Sequence, residues 1–262
     1  MIKAKKSLGQ NFLTDQNIID KIVNAVKINK KSILEIGPGT GNLTNHILKK
    51  QPKKFLVIEK DNDLSKLLDK NFGSKIKIIN EDVLKIDENN LEQETLTVFG
   101  NLPYNISTEI LCKWILNIEG KKFWFDYLVL MFQKEVADRI ISNYNTKNYG
   151  RLSILANWKL NIKKIADVKS SCFFPKPKVD SAILLFQPKN NFFQFRSPRN
   201  LEKLTRIFFM HRRKMLKKPY NLIFNGNLKI ANKLKIDLSM RPQNLNFEKY
   251  YKLTEEYENL RS

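Results

Sequence analysis

Asn101, Leu102, Pro103 and Tyr104 follow the apolar run Thr95-Leu-Thr-Val-Phe99, and residues of these types in this order can do specific chemistry. The exocyclic amino group of a purine is a poor nucleophile because its lone pair is delocalised into the ring. Accepting the hydrogens of that group draws the nitrogen toward a pyramid and restores the lone pair. A side-chain amide oxygen at Asn101 and the main-chain carbonyl of Leu102, held by Pro103, can do this. The Tyr104 ring offers a face on which the base can stack. Enzymes that act on a base take it out of its stack and hold it by hydrogen bonds and aromatic contacts. The competing explanation is a strand-ending turn, since Asn and Pro favour turns for local reasons.

Other chemistry-bearing residues stand at the ends of other apolar runs. Ser32-Ile-Leu-Glu-Ile36 leads into Gly37-Pro-Gly39-Thr-Gly41-Asn42, where glycines let the backbone turn sharply and approach a ligand. A dinucleotide fingerprint requires a third glycine where Asn42 stands, and no Lys-Ser/Thr pair follows to make a P-loop. The acidic strand end before the glycines suits a cationic ligand better than a pyrophosphate. Glu59 closes the next run, where a carboxylate can bind both hydroxyls of a ribose. Glu81-Asp82-Val83 follows the third run, and an acid there can accept from an adenine amino group. Each acid alone is more simply a solvated surface group. Together, at successive strand ends beside G-x-G-x-G, they point to an S-adenosylmethionine site.

These residues need elements to hold them. β-type runs recur at Ser32–Ile36, 55–59, 76–80, 95–99, 127–131 and 182–186, with helical patterns between several of them, such as Leu64-Ser-Lys-Leu-Leu68 and 108–116. Strands buried on both faces and alternating with helices predict a doubly wound, Rossmann-like α/β sheet. Strand ends of such a sheet share one crevice. Near Pro188 the pattern changes. Ser197-Pro198 reads as an N-cap and first helical residue, opening a helix expected to run through Lys217, with further helices around 228–234 and 247–260. The expected division is a catalytic sheet domain over 1–190 and a small basic all-α domain over 191–262.

The chain has 262 residues and a formal charge of +21. From Gln187 onward 17 lysines and arginines face 6 acids, and five cations crowd into His211–Lys218 beside Phe208 and Phe209. Cations that neutralise phosphates release counterions, so this cluster predicts a nucleic-acid partner. The alternative, a general drift toward lysine, explains scattered charges better than clustered ones. The patch lacks the apolar face of an interfacial helix. No run approaches membrane-spanning length, and the basic opening at residues 1–6 has no apolar core of signal-peptide length. Cys112 and Cys172 lie far apart without metal spacing, so a cytoplasmic protein with no metal site is expected. His46 and His211 have no evident acid partner and read as surface or packing residues.

The strings Leu8-Gly-Gln-Asn-Phe-Leu-Thr-Asp15, Glu35-Ile-Gly-Pro-Gly39, Phe99-Gly-Asn-Leu-Pro-Tyr-Asn-Ile-Ser107 and Gln133-Lys-Glu-Val-Ala137 resemble the ribosomal RNA adenine dimethyltransferase family. So do Tyr149-Gly-Arg-Leu-Ser153, Phe173-Phe-Pro-Lys-Pro-Lys-Val-Asp-Ser-Ala182 and His211-Arg-Arg-Lys214. Within that family the chain is most similar to the bacterial small-subunit enzymes associated with kasugamycin sensitivity. The resemblance implies methylation, from S-adenosylmethionine, of N6 on two adjacent adenines in a hairpin loop near the 3′ end of small-subunit rRNA. The implied partner is that rRNA or an immature small subunit, met by a monomer. Asn11 and Leu13 would close over the methionine end of the cofactor, Gly37 would lie against it, and Glu59 would take the ribose. Asp82 would take the adenine and Asn101 would bridge cofactor and target. Tyr104 and Phe173 would stack on the target base, with Phe174 a substitute for Phe173 and core packing the competing role for both phenylalanines. Arg212, Arg213 and Lys214 would meet RNA. The chain departs from the family's pattern at Gln243, where Glu is usual.

Two alternatives stand beside this one. A large-subunit methylase giving macrolide resistance shares the chemistry, although Leu102 and the string Lys176-Pro-Lys-Val-Asp-Ser181 favour the small-subunit group. An RNA-binding ribosome-assembly factor with incidental methylation is the other, and the intact cofactor residues argue against loss of activity.

Overall fold

The computed structural model describes residues 4, 5 and 8–261; the basic opening at residues 1–6 falls largely outside them. In chain order the elements begin with β1 (Phe12–Leu13), α1 (Gln16–Val23), β2 (Ser32–Ile36), α2 (Asn42–Lys49), β3 (Lys54–Ile58), α3 (Asn62–Phe72) and β4 (Lys77–Ile79). There follow β5 (Leu96–Asn101), α4 (Ser107–Leu116), β6 (Phe125–Gln133), α5 (Lys134–Ile141), α6 (Arg151–Lys159), β7 (Leu160–Val168), β8 (Phe173–Phe174) and β9 (Ser181–Pro188). The last four are α7 (Pro198–Met210), α8 (Lys217–Phe224), α9 (Leu228–Lys233) and α10 (Phe247–Asn259).

Seven strands form one sheet in the order β4-β3-β2-β5-β6-β9-β7. The pairs β2·β3, β3·β4, β2·β5 and β5·β6 are parallel, and β6·β9 is antiparallel. The chain winds outward from β2 to β4 and then returns to place β5 on the other side of β2. That reversal makes the β2/β5 boundary a switch point, outside whose carboxyl ends ligands bind in open α/β sheets. Register puts Ile36 opposite Gly100, so Gly37 and Asn101 leave the sheet side by side. All five residues of β2 are buried, as are Leu96–Gly100 of β5, which is why both read as continuous apolar runs.

The chain divides into two compact units. One comprises residues up to Lys113 with Lys121–Ala137 and Asn161–Pro188; the other comprises Trp114–Gly120, Asp138–Leu160 and everything from Lys189 onward. Assigning 191–262 alone to the helical unit therefore omits two earlier segments. α6 carries buried Leu155, Ala156 and Trp158, and Tyr251 of α10 donates its hydroxyl to Ile154 O at 3.0 Å. At the start of α7, Ser197 makes no side-chain cap. The Glu258 carboxylate accepts instead from Arg196 N, Ser197 N and Asn200 Nδ2, at 2.9, 3.1 and 2.7 Å.

The helix expected through Lys217 ends at Met210. His211–Lys214 turn through short backbone bonds, and Leu216 and Lys217 donate to Met240 O and Leu238 O. This pairing with a distant segment competes with helix continuation. Arg212, Arg213 and Lys214 of the basic cluster thus lie in a turn between α7 and α8, and Lys217 and Lys218 open α8. Among the described residues no helix is long and apolar enough to cross a membrane.

Lys159 is buried in the helical unit, with its Nζ donating to Ile115 O at 3.2 Å and Ile118 O at 2.8 Å, 4.1 Å from the Trp158 ring centre. It serves carbonyls at the end of α4 that no helical N–H can reach. Burial lowers its pKa to about 8. Lys159→Met should lower unfolding free energy by about 1–3 kcal/mol, the cost of leaving buried acceptors without donors. An unchanged denaturation midpoint would contradict this role.

Candidate active site

A cleft of about 730 Å³ opens at the switch point, and Asn11, Leu13, Gly37, Glu59, Asn101, Leu102 and Tyr104 all line it. Asp82 lines an adjoining cavity of about 640 Å³ that shares Leu8, Gly37, Glu59 and Pro103 with the first. The glycine turn shapes the floor. Gly37 has φ +64°, and a Cβ there would meet no protein atom nearer than 3.8 Å, so its room is open to a ligand. At Gly39, φ +59°, a Cβ would stand 2.8 Å from the Phe12 ring, which packs down onto the turn.

Two buried acids set the electrostatics. Glu59 accepts from Asp61 N at 2.9 Å and Gly39 N at 3.2 Å, one bond on each carboxylate oxygen. Each oxygen retains capacity for a further donor, which suits two vicinal hydroxyls. Burial pushes the Glu59 pKa up against those backbone bonds. Glu35, 2% exposed, accepts from Thr44 Oγ1 at 2.7 Å, and burial carries its pKa to about 8. Asp82 differs. A hydrogen bond from Lys60 Nζ at 2.8 Å holds its carboxyl below the ordinary value, and its other oxygen caps the turn at Leu84 N.

Asn101 Nδ2 donates to Asn11 O at 2.8 Å, so the amide oxygen is the atom left to accept from a ligand. Leu102 turns its side chain inward over Gly100, where a Cβ would come within 2.9 Å of it. Gly100 therefore gives Leu102 space to fold back. The Tyr104 hydroxyl is 2.6 Å from Ser181 Oγ, which anchors the ring, and burial raises the phenol pKa. Among the described residues no group of three or more His, Cys, Asp or Glu side chains could hold a metal.

Phe173 does not join this arrangement. It is 4% exposed and belongs to the core cluster with Leu13, its partner across β1·β8, so its face is not available for stacking. Phe174, on the opposite side of the same short strand, is 71% exposed. Arg212 is also committed internally, with Nε 3.2 Å from Gln243 Oε1 and Nη2 donating to Lys147 O. Arg213 and Lys214 are exposed. Gln243, the departure from the family's pattern, is thus a neutral partner for Arg212. Sequence reasoning missed Asp61, Lys60 and Ser181. Asp61-Asn-Asp63 is a visible N-cap signal, but nothing local marks what else Asp61 holds.

The model for the family described as Ribosomal RNA adenine dimethylase matches residues 1–259. The chain belongs to the ribosomal RNA adenine dimethylase family. This dimethylase is 63% identical over 260 residues to the Ribosomal RNA small subunit methyltransferase A of Pelagibacter ubique (strain HTCC1062), covering 99% of each chain. It is 41% identical to the protein of that name from Wolbachia sp. subsp. Drosophila simulans (strain wRi), covering 95% of this chain and 92% of that one. The solved dimethyladenosine transferase of Plasmodium falciparum superposes with a TM-score of 0.78 at 28% identity, over 95% of this chain and 98% of that one. The 23S rRNA methyltransferase ErmE superposes with a TM-score of 0.70, over 95% of this chain and 100% of that one. At 21% identity that likeness is one of fold alone, and the large-subunit alternative loses to the small-subunit relatives.

Because Glu35 titrates near pH 8 when folded against an ordinary 4.5, the folded dimethylase binds the extra proton between those values. Its stability contribution is present at low pH and lost as pH rises through 8. Glu35→Gln should therefore stabilise the protein near pH 9 by on the order of 2–4 kcal/mol, with the gain shrinking toward pH 5. A pH-independent difference in urea midpoints would refute this.

Proposed function

We propose that this chain transfers methyl groups from S-adenosylmethionine to N6 of two adjacent adenines in the 3′-terminal hairpin loop of small-subunit (16S) rRNA, in the cytoplasm, during ribosome biogenesis. One observation carries this reading: the Asn101 amide, fixed through its nitrogen to Asn11 O, stands at the sheet's switch point beside Gly37 and Glu59. The small-subunit relatives support the choice of rRNA.

The residues present fit the cofactor. An acid-lined cleft suits a cation, the Glu59 oxygens suit ribose hydroxyls, and the open turn at Gly37 admits a ligand close to the main chain. Asp82, held ionised by Lys60, is suited to accept from an adenine amino group. Asn11 and Leu13 would bound the methionine end. When bound, S-adenosylmethionine supplies an electrophilic methyl group with its own leaving group, so the chain need provide no nucleophile.

The protein's part is alignment and polarisation. Asn101 Oδ1 and the Leu102 carbonyl accept the two hydrogens of the target amine and draw its nitrogen out of the ring plane. The Tyr104 ring, anchored on Ser181, holds the base by its face. Its phenol stays protonated and takes no proton from the amine. Holding reacting atoms in line is worth a large part of the barrier in such transfers.

Asn101→Ala should cut methyl transfer at least about 100-fold, in the range seen when one preorganised polar contact to a reacting group is removed. Binding of rRNA should stay within about twofold, since the lost interaction acts on the reacting amine alone. Retained activity in purified Asn101→Ala protein would overturn the assignment. Reversing charge at Arg213 and Lys214 together should weaken particle binding and lower the slope of log K against log salt by ~2. An unchanged slope would remove the basic turn from the RNA interface.

A further inference from the structure

A strap of residues 8–14 covers the cleft and is pinned at three places. At its far end β1 pairs with β8, Thr14 N donates to Cys172 O at 2.9 Å, and Asn42 Nδ2 donates to Leu13 O at 2.8 Å. At its centre Asn11 O receives the Asn101 amide. At its near end Gln10, with Lys5 just before the strap, meets Asp61, and Lys5 Nζ also donates to Asp63 Oδ2 at 2.8 Å. Lys5 Nζ donates to Asp61 Oδ1 at 2.8 Å and Gln10 Nε2 donates to Asp61 Oδ2 at 2.8 Å. The Gln10 amide is itself oriented by Lys5 N, which donates to its Oε1 at 2.7 Å.

Capping α3 explains only part of this. The cap needs one acceptor for Asp63 N, which Oδ1 supplies at 2.9 Å. The rest of the carboxylate's capacity goes to Gln10 of the strap and to Lys5, and the carboxylate is 2% exposed while Lys5 is 44% exposed. The same residue's N–H is the donor to Glu59 Oε1. Asp61 thus touches the ribose-binding acid through its main chain and the cover of the cleft through its side chain.

We propose that Asp61 is a positioning residue for methyl transfer, latching the strap so that Asn11 O keeps the Asn101 amide in its accepting orientation and the cofactor stays enclosed. The proposal rests on the reading that this cleft takes S-adenosylmethionine. Release of product cofactor requires Lys5 and Gln10 to let go of Asp61, which places the latch in the turnover cycle.

The test uses full-length protein with Asp61→Asn, which keeps a cap acceptor for α3, and Gln10→Leu, which leaves α3 untouched. S-adenosylhomocysteine dissociation is followed by stopped-flow fluorescence, and kcat and KM are measured on immature small subunits. Both variants should release S-adenosylhomocysteine about 10- to 100-fold faster, as expected for loss of charge-assisted bonds. Both should lower kcat at saturating cofactor, with KM for the subunit within about twofold and melting temperature unchanged in Gln10→Leu. The double variant should be no worse than Asp61→Asn alone, because the Gln10 contact that Gln10→Leu removes is already lost in Asp61→Asn. Wild-type release rates and kcat in Gln10→Leu, or additive effects in the double variant, would overturn the latch. Wild-type protein that binds no S-adenosylhomocysteine would overturn the reading of the cleft itself, and the latch with it.

Discussion

One hydrogen bond decides what the site can do: Asn101 Nδ2 to Asn11 O. An amide has a donor end and an acceptor end, and only the acceptor end can polarise an amine by taking its hydrogens. With the nitrogen engaged by a main-chain carbonyl, the oxygen is the end left for a ligand. The bond spans 90 residues of sequence and exists because two independent constructions meet there. The parallel sheet delivers Asn101 beside Gly37 at the switch point, and the N-terminal strap delivers a carbonyl above it.

The sheet's contribution is rigid. β2 and β5 are buried nearly throughout, and their register is fixed by core side chains such as Ile33, Leu34, Val98 and Phe99. A one-residue slip would turn those side chains out of the core, so the separation of Gly37 and Asn101 is over-determined. The cleft's charge follows from the same construction. Glu35 and Glu59 stand near the ends of consecutive strands, where burial raises both pKa values and a cation beside them would favour the ionised forms. Desolvated acids are costly in the free protein, and a cation relieves that cost.

Much of this was legible in the sequence, because strand-end chemistry in a doubly wound sheet is a local signal. Asn101 through Tyr104, Gly37, Glu59 and Asp82 each follow an apolar run, and topology gathers the ends of such runs. What was not legible depends on distant pairings. Phe173 and Phe174 are chemically equal, and only the register of Leu13 against Phe173 decides which one enters the core. β7 carries Lys163, Lys164 and Asp167 on an outermost strand, so it lacks the apolar run that betrays inner strands. Helix α7 stops at Met210 because Leu216 and Lys217 find partners at Met240 and Leu238. Arg212 reads as one of three equivalent cations until Gln243 and Lys147 O are seen beside it.

The most direct test of the central claim is where the methyl groups go. Purified protein is incubated with isotopically labelled S-adenosylmethionine and immature small subunits from cells lacking this activity, and the rRNA is digested and mapped by mass spectrometry. Two labelled methyls on N6 of each of two neighbouring adenines in the 3′-terminal loop is the result predicted. Label on a ribose or a ring nitrogen, or no label in the presence of folded protein, would contradict an account built on an acceptor pair for an exocyclic amine.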